Sequence, residues 1–141
     1  MRFMLFMLPG GELRETGEWE PPTAAAVAEM TRFNEALVGA GVLLAADGLH
    51  PPSVGARVAC RDGAKTVVDG PFAESKEVVG GYWLIDVRSR AEAVEWASRC
   101  PLEEGDVIEI RQVYEMSDFP AEVQAAAELS AVPPEQTSAR D

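Results

Sequence analysis

His50 is the single histidine of the chain, so any proton transfer by an imidazole near neutral pH has to pass through it. It lies in the run Asp47-Gly48-Leu49-His50-Pro51-Pro52-Ser53, stiffened by two prolines. A carboxylate holding its second ring nitrogen would make it a general acid or base. Asp69 is the candidate for that role. It opens the run Asp69-Gly70-Pro71-Phe72-Ala73-Glu74-Ser75-Lys76-Glu77, in which Glu74 can converge with Asp69 on a pocket, Ser75 is a further ligand-binding candidate and Lys76 can hold an anion. Tyr82 and Asp86, in the segment that follows, complete the candidate ligand-binding set. Each reading has a structural counterpart. His50 also reads as a solvated or hydrogen-bonded loop residue. Asp69-Gly70-Pro71-Phe72 also reads as a hairpin exit: Asp bonds backbone amides, Gly takes an unusual dihedral, Pro fixes the next one and Phe plugs the core.

Other chemistries find little to use. One histidine without a nearby second nitrogen or sulfur ligand does not build a transition-metal site. No nucleophile elbow, phosphate-binding glycine loop or dinucleotide fingerprint is present, so the expectation is no metal and no cofactor. Cys60 and Cys100 are too few for a disulfide framework and read as small buried hydrophobes. The net charge of -12 repels phosphate backbones, so nucleic acid is not expected as a partner. The apolar run from Phe3 to Leu8 is too short for a bilayer span or a signal-peptide core, which points away from membranes and toward a bacterial-type cytoplasm.

The elements that must position these residues follow from the apolar pattern. Arg2 to Leu8 reads as an interior strand buried on both faces, and Glu12 to Pro22 as an exposed loop pinned by Trp19. Thr23 can cap a helix over about 24–40, with Val27, Met30, Phe33 or Asn34, Leu37 and Gly41 at helical spacing. A brief strand runs from Val42 to Ala45. Ala56 to Arg61 and Ala64 to Val68 read as a hairpin turned by Asp62-Gly63, delivering Asp69 at its end. From Gly80 to Val87 the chain alternates, with Trp83, Ile85 and Val87 on a dry face and Tyr82, Leu84 and Asp86 on a mixed one. Ser89-Arg90-Ala91-Glu92 is a capping box for a second helix that presents Ala93, Trp96, Ala97 and Cys100 and ends at Pro101. Val107 to Tyr114 is a last strand, and a C-terminal helix covers about 119–130.

The run from Asp69 to Glu77 followed by Gly80-Gly81-Tyr82-Trp83-Leu84-Ile85-Asp86 resembles the DGPF branch of the YCII-related proteins, described by D-G-P-F-A-E-[TS]-K-E and G-G-Y-[YW]-L-I-D. The resemblance implies a dimeric α+β barrel and no established reaction. It also implies a His and Asp pair in a cleft, for which His50 and Asp69 are the counterparts, and a regulatory link to sigma factors of the extracytoplasmic-function class.

The expected fold is therefore α+β: a ferredoxin-like βαββαβ plan with an inserted β-hairpin, one domain over residues 1–131 and a disordered tail over 132–141. Two helices cover one face of such a sheet, so a homodimer is expected to cover the other. Two functions remain open. One is a non-catalytic small-ligand-binding or regulatory accessory module. The other is a small cofactor-independent enzyme using His50 and Asp69 in the barrel cleft.

Overall fold

The computed structural model describes residues 1–11, 18–72 and 77–128 of the chain. The elements run β1 Arg2–Leu8, α1 Ala24–Gly39, β2 Leu43–Gly48, β3 Ala56–Arg61, β4 Ala64–Asp69, β5 Gly81–Asp86, α2 Arg90–Ser98, β6 Val107–Gln112 and α3 Ala121–Glu128. Short 3-10 turns sit at Pro52–Val54 and Met116–Asp118. An antiparallel four-stranded sheet has the order β2-β5-β1-β6, and β3 pairs with β4 in a separate two-stranded hairpin. The architecture is α+β. The expected disordered tail, 132–141, lies outside the described residues, as do the last residues of the expected C-terminal helix.

One face of the sheet is dry because α1 and α2 lie on it. Phe3, Leu5, Trp83 and Ile85 from the strands meet Phe33 and Leu37 from α1, and Ala93, Trp96 and Ala97 from α2. Leu5, Leu37 and Ile85 are fully buried. The Phe33 and Trp83 rings meet edge to face, 5.6 Å apart at 86°, the arrangement favoured by the aromatic quadrupole. Trp83 Nε1 donates to Asn34 Oδ1 at 2.8 Å, which satisfies the indole N–H at the sheet-helix boundary. Asn34→Ala leaves that donor without its acceptor and is expected to cost about 1–3 kcal/mol. The check is a urea titration, in which the midpoint falls while the slope is unchanged.

Thr23 caps α1 by accepting from Ala26 N at 3.1 Å. Val27 was expected to share the core face with Phe33 and Leu37, yet it is half-exposed: the sheet reaches only the later turns of α1. Ser89 caps α2, accepting from Glu92 N at 3.1 Å. The reciprocal half of the capping box is displaced by one residue, since Glu92 Oε2 accepts from Arg88 N at 2.9 Å. That amide, with the Arg88 side chain, holds the Glu92 carboxyl below the usual carboxylate range. The helix stops at Ser98, before Pro101.

Two further expectations are corrected. Strand β1 is interior, paired with β5 and β6, but only its Phe3 and Leu5 are buried, while Met4 and Phe6 on the opposite face are half-buried. The cysteines differ in environment. Cys100 is buried, and its thiol is pushed up to about 12 by desolvation; Cys60 is exposed because the hairpin that carries it lies outside the core.

The Asp62-Gly63 turn forms as expected, with φ of 50° and 77°, the left-handed pair that a two-residue hairpin loop requires. Strand β2 extends to Gly48, absorbing Asp47 from the segment expected to be a stiff loop. Trp19 is half-buried, with its ring 3.7 Å from where a side chain on Gly80 would begin.

Candidate functional site

The sheet face turned away from α1 and α2 collects the polar and apolar groups that a ligand could meet. Its residues follow from the register. One row across four strands reads Asp47, Tyr82, Phe6, Glu109; the next reads Ala45, Leu84, Met4, Arg111; a third pairs Asp86 with Arg2. The centre is apolar and half-buried, and the margins are charged and exposed.

Each end of this face carries a polar pair. Tyr82 Oη donates to Asp47 Oδ2 at 2.7 Å across the β5-β2 ladder. Donation to a carboxylate keeps the proton on the phenol, so its pKa rises above the ordinary value. At the other end Arg2 grips Glu115 through two hydrogen bonds, Nε to Oε1 at 2.8 Å and Nη2 to Oε2 at 3.1 Å. This forked contact matches the carboxylate plane. It holds the Glu115 carboxyl below its usual range and raises the Arg2 guanidinium. Asp86 accepts from the Met1 amino group at 3.0 Å. Tyr82 and Asp86 therefore share one face, but they stand about 13 Å apart along β5. A small molecule would touch one end, not both.

The expected pair of His50 and Asp69 is not assembled. His50 is exposed, two residues beyond β2, and Asp69 is the exposed last residue of β4. No hydrogen bond or ion pair joins them among the described residues. Glu74, Ser75 and Lys76 lie outside the described residues.

The hairpin exit holds together by means other than those expected. Among the described residues the Asp69 carboxylate caps no backbone amide; the turn is tied by Gly70 N donating to Gly55 O at 2.9 Å. Gly70 does not take a left-handed dihedral. It is required because a side chain there would run into the Pro52 carbonyl. The peptide between Gly70 and Pro71 is cis. Phe72 does not enter the core; its half-buried ring lies under the Arg57 guanidinium, 3.9 Å from the centroid, a cation-π contact.

Sequence reasoning named Tyr82, Leu84 and Asp86 on the open face and missed Met4, Phe6 and the Arg2–Glu115 pair. In β1 both faces are apolar, so no alternation separates Met4 and Phe6 from Phe3 and Leu5. Arg2 and Glu115 are 113 residues apart in sequence, and no local signal links them.

A shallow depression of about 480 Å³ over α2 is lined by Arg88, Glu92, Glu95, Trp96 and Arg99. It holds none of the candidate residues, and its charges are already paired at the two ends of α2, Arg88 with Glu92 and Arg99 with Glu95. Among the described residues no three His, Cys, Asp or Glu side chains come together as metal ligands. No helix among them is long and apolar enough to cross a membrane.

The chain matches the family model of the YCII-related domain over residues 1–117. An uncharacterized protein of Rhizobium meliloti (strain 1021) is 36% identical over 69 residues, which is 49% of this chain and 56% of that relative. The match thus spans little more than half the relative's length.

Proposed function

Because the chain belongs to the YCII-related domain family, we propose that it is a non-catalytic binding module: a homodimer in which two copies pack their open sheet faces together and take a small ligand in the cleft between them. On this reading the order β2-β5-β1-β6 is the ferredoxin-like plan with β3 and β4 inserted, and the pair makes a dimeric α+β barrel. One observation carries the proposal. The open face has a half-buried apolar centre, Met4, Phe6 and Leu84, bounded at one end by Tyr82 and Asp47 and at the other by Arg2, Asp86 and Glu115. An apolar sheet face of this extent needs cover, and an isologous dimer supplies it with the chain's own chemistry. The ligand would be small and polar, met by the Tyr82 hydroxyl and the Asp47 carboxylate.

The enzyme reading has less support, since His50 and Asp69 are both exposed and make no bond to each other. Regulation linked to a sigma factor rests on the family resemblance alone.

The test is sedimentation velocity over a concentration series, combined with amide NMR on addition of small carboxylic acids, amines and carbonyl compounds. Wild type is expected to be dimeric, Leu84→Asp monomeric, and the ligand-induced shifts to map to Met4, Tyr82 and Leu84. A wild-type chain that stays monomeric, or shifts that avoid this face, would overturn the reading.

A further inference from the structure

We propose that the ligand of the open face is an organic cation, a small alkylammonium ion whose nitrogen meets the Asp47 carboxylate and whose carbon chain lies among the rings of Trp19, Tyr82 and Phe6. This rests on the binding-module reading above and names the chemical class that its site takes.

The charges of the open face are not alike. Arg2 is held by Glu115, Arg111 Nη1 lies 3.5 Å from Glu109, and Asp86 is met by the Met1 amino group at 3.0 Å. Each of these carboxylates has a cation beside it. Asp47 differs. Among the described residues its partner is the neutral Tyr82 hydroxyl at 2.7 Å, so no cation balances its charge there. It is exposed on β2, an edge strand of the sheet. The hydroxyl fixes Oδ2 and leaves Oδ1 as an acceptor. The two arginines of the face do not compete for it: Arg2 stands about 13 Å from Tyr82 along the strands, and Arg111 about 14 Å from Asp47 across them.

Three half-buried rings adjoin this carboxylate. Phe6 is the direct cross-strand neighbour of Tyr82. Gly80, just before β5, falls on the face of Tyr82 by alternation. A side chain there would begin 2.8 Å from the Pro9 ring and 3.7 Å from the Trp19 ring, so the glycine leaves the place that these two rings take. Trp19 therefore borders Tyr82 one step further along the strand, about 7 Å on. A carboxylate beside aromatic faces suits an ammonium ion with an apolar body, since the rings attract the cation and cover its carbons. An anion of equal size would meet Asp47 as a like charge and be repelled by the chain's net -12. A neutral molecule would lack the charge-assisted bond.

The experiment is a titration of the full chain at constant ionic strength, followed by amide and indole NMR, with butylammonium, butyrate, butan-1-ol and ammonium as probes. Butylammonium is expected to bind saturably, shifting the Trp19 indole and the amides of Asp47 and Tyr82, about tenfold or more tighter than butan-1-ol or ammonium. Butyrate is expected to give no saturable shift. Asp47→Asn should weaken butylammonium by about tenfold or more, the loss of one charge-assisted bond. Butylammonium that binds Asp47→Asn as well as wild type, or no better than ammonium, overturns the cation site. Butyrate or butan-1-ol shifting these residues in its place overturns the cation class and leaves the binding module standing. Butylammonium bound at Asp47 by a chain that sedimentation velocity finds monomeric overturns the dimer and leaves the cation site standing. If Asp47→Asn fails to fold, the four wild-type titrations decide alone.

Discussion

Leu5→Ala is expected to lower the unfolding free energy by about 3–5 kcal/mol, the upper range for deleting a fully buried leucine. For a chain of this length that corresponds to roughly 10–15 °C in melting temperature. Leu5 is wholly buried in the middle of the central strand, between Trp83 on β5 and Ile110 on β6. Both neighbouring strands are fixed by ladders on either side of it, so the site cannot collapse onto the void. The removed atoms take both their transfer free energy and their packing contacts with them. Met4→Ala, one residue away on the opposite face, separates core from interface. Met4 is half-buried in the single chain, so under the proposed dimer its loss is expected to act mainly on association. The Leu5→Ala deficit should be the same at every protein concentration, whereas the Met4→Ala deficit should change with concentration by mass action. Thermal melts of both variants over a hundredfold dilution make the comparison. Equal behaviour of the two would mean that the open face is not an interface.

How much of this was legible in the chain depends on the range of the interaction. Local devices read well: Thr23 as a cap, Asp62-Gly63 as a hairpin turn, and Trp83 and Ile85 against Tyr82 and Leu84 as the two faces of one strand. Each is decided within a few residues by sterics or by period. Val27 and Cys60 misled, because helical spacing and residue type say which surface is apolar but not how far the sheet extends to cover it. Glu92 found the Arg88 amide instead of its own cap residue, a choice between two nearby donors that the motif leaves open. The candidate site was harder. Tyr82 and Asp47 become partners only through the β2-β5 register, and Arg2 and Glu115 only through the placement of the segment after β6. In the described part of the run with the most chemical promise, Asp69 to Phe72, Gly70 joins the hairpin exit to the turn at Pro52–Val54.

That last point is tested by Gly70→Ala beside Asp69→Asn. A side chain at Gly70 would occupy the space of the Pro52 carbonyl, and both groups are backbone, so neither can swing away as a flexible side chain does. Relief requires the hairpin exit to part from the 3-10 turn at Pro52–Val54, which breaks the bond from Gly70 N to Gly55 O. Overpacking of this kind costs about 1–3 kcal/mol, and more where backbone meets backbone, so Gly70→Ala is expected at about 2–4 kcal/mol. The Gly55 carbonyl and the Gly70 amide would both lose their partner, and amide exchange at residue 70 should accelerate alongside the fall in the urea midpoint. Asp69→Asn should do almost nothing to stability, within about 0.5 kcal/mol, because the carboxylate is exposed and caps no amide among the described residues. The two variants therefore divide the roles inside one short motif. If Asp69→Asn alters ligand binding or turnover while leaving the melt unchanged, the aspartate belongs to chemistry that the glycine merely positions. If Asp69→Asn is silent in every assay and Gly70→Ala is not, the motif exists to seat the base of the hairpin. A Gly70→Ala chain as stable as wild type would refute the close approach itself.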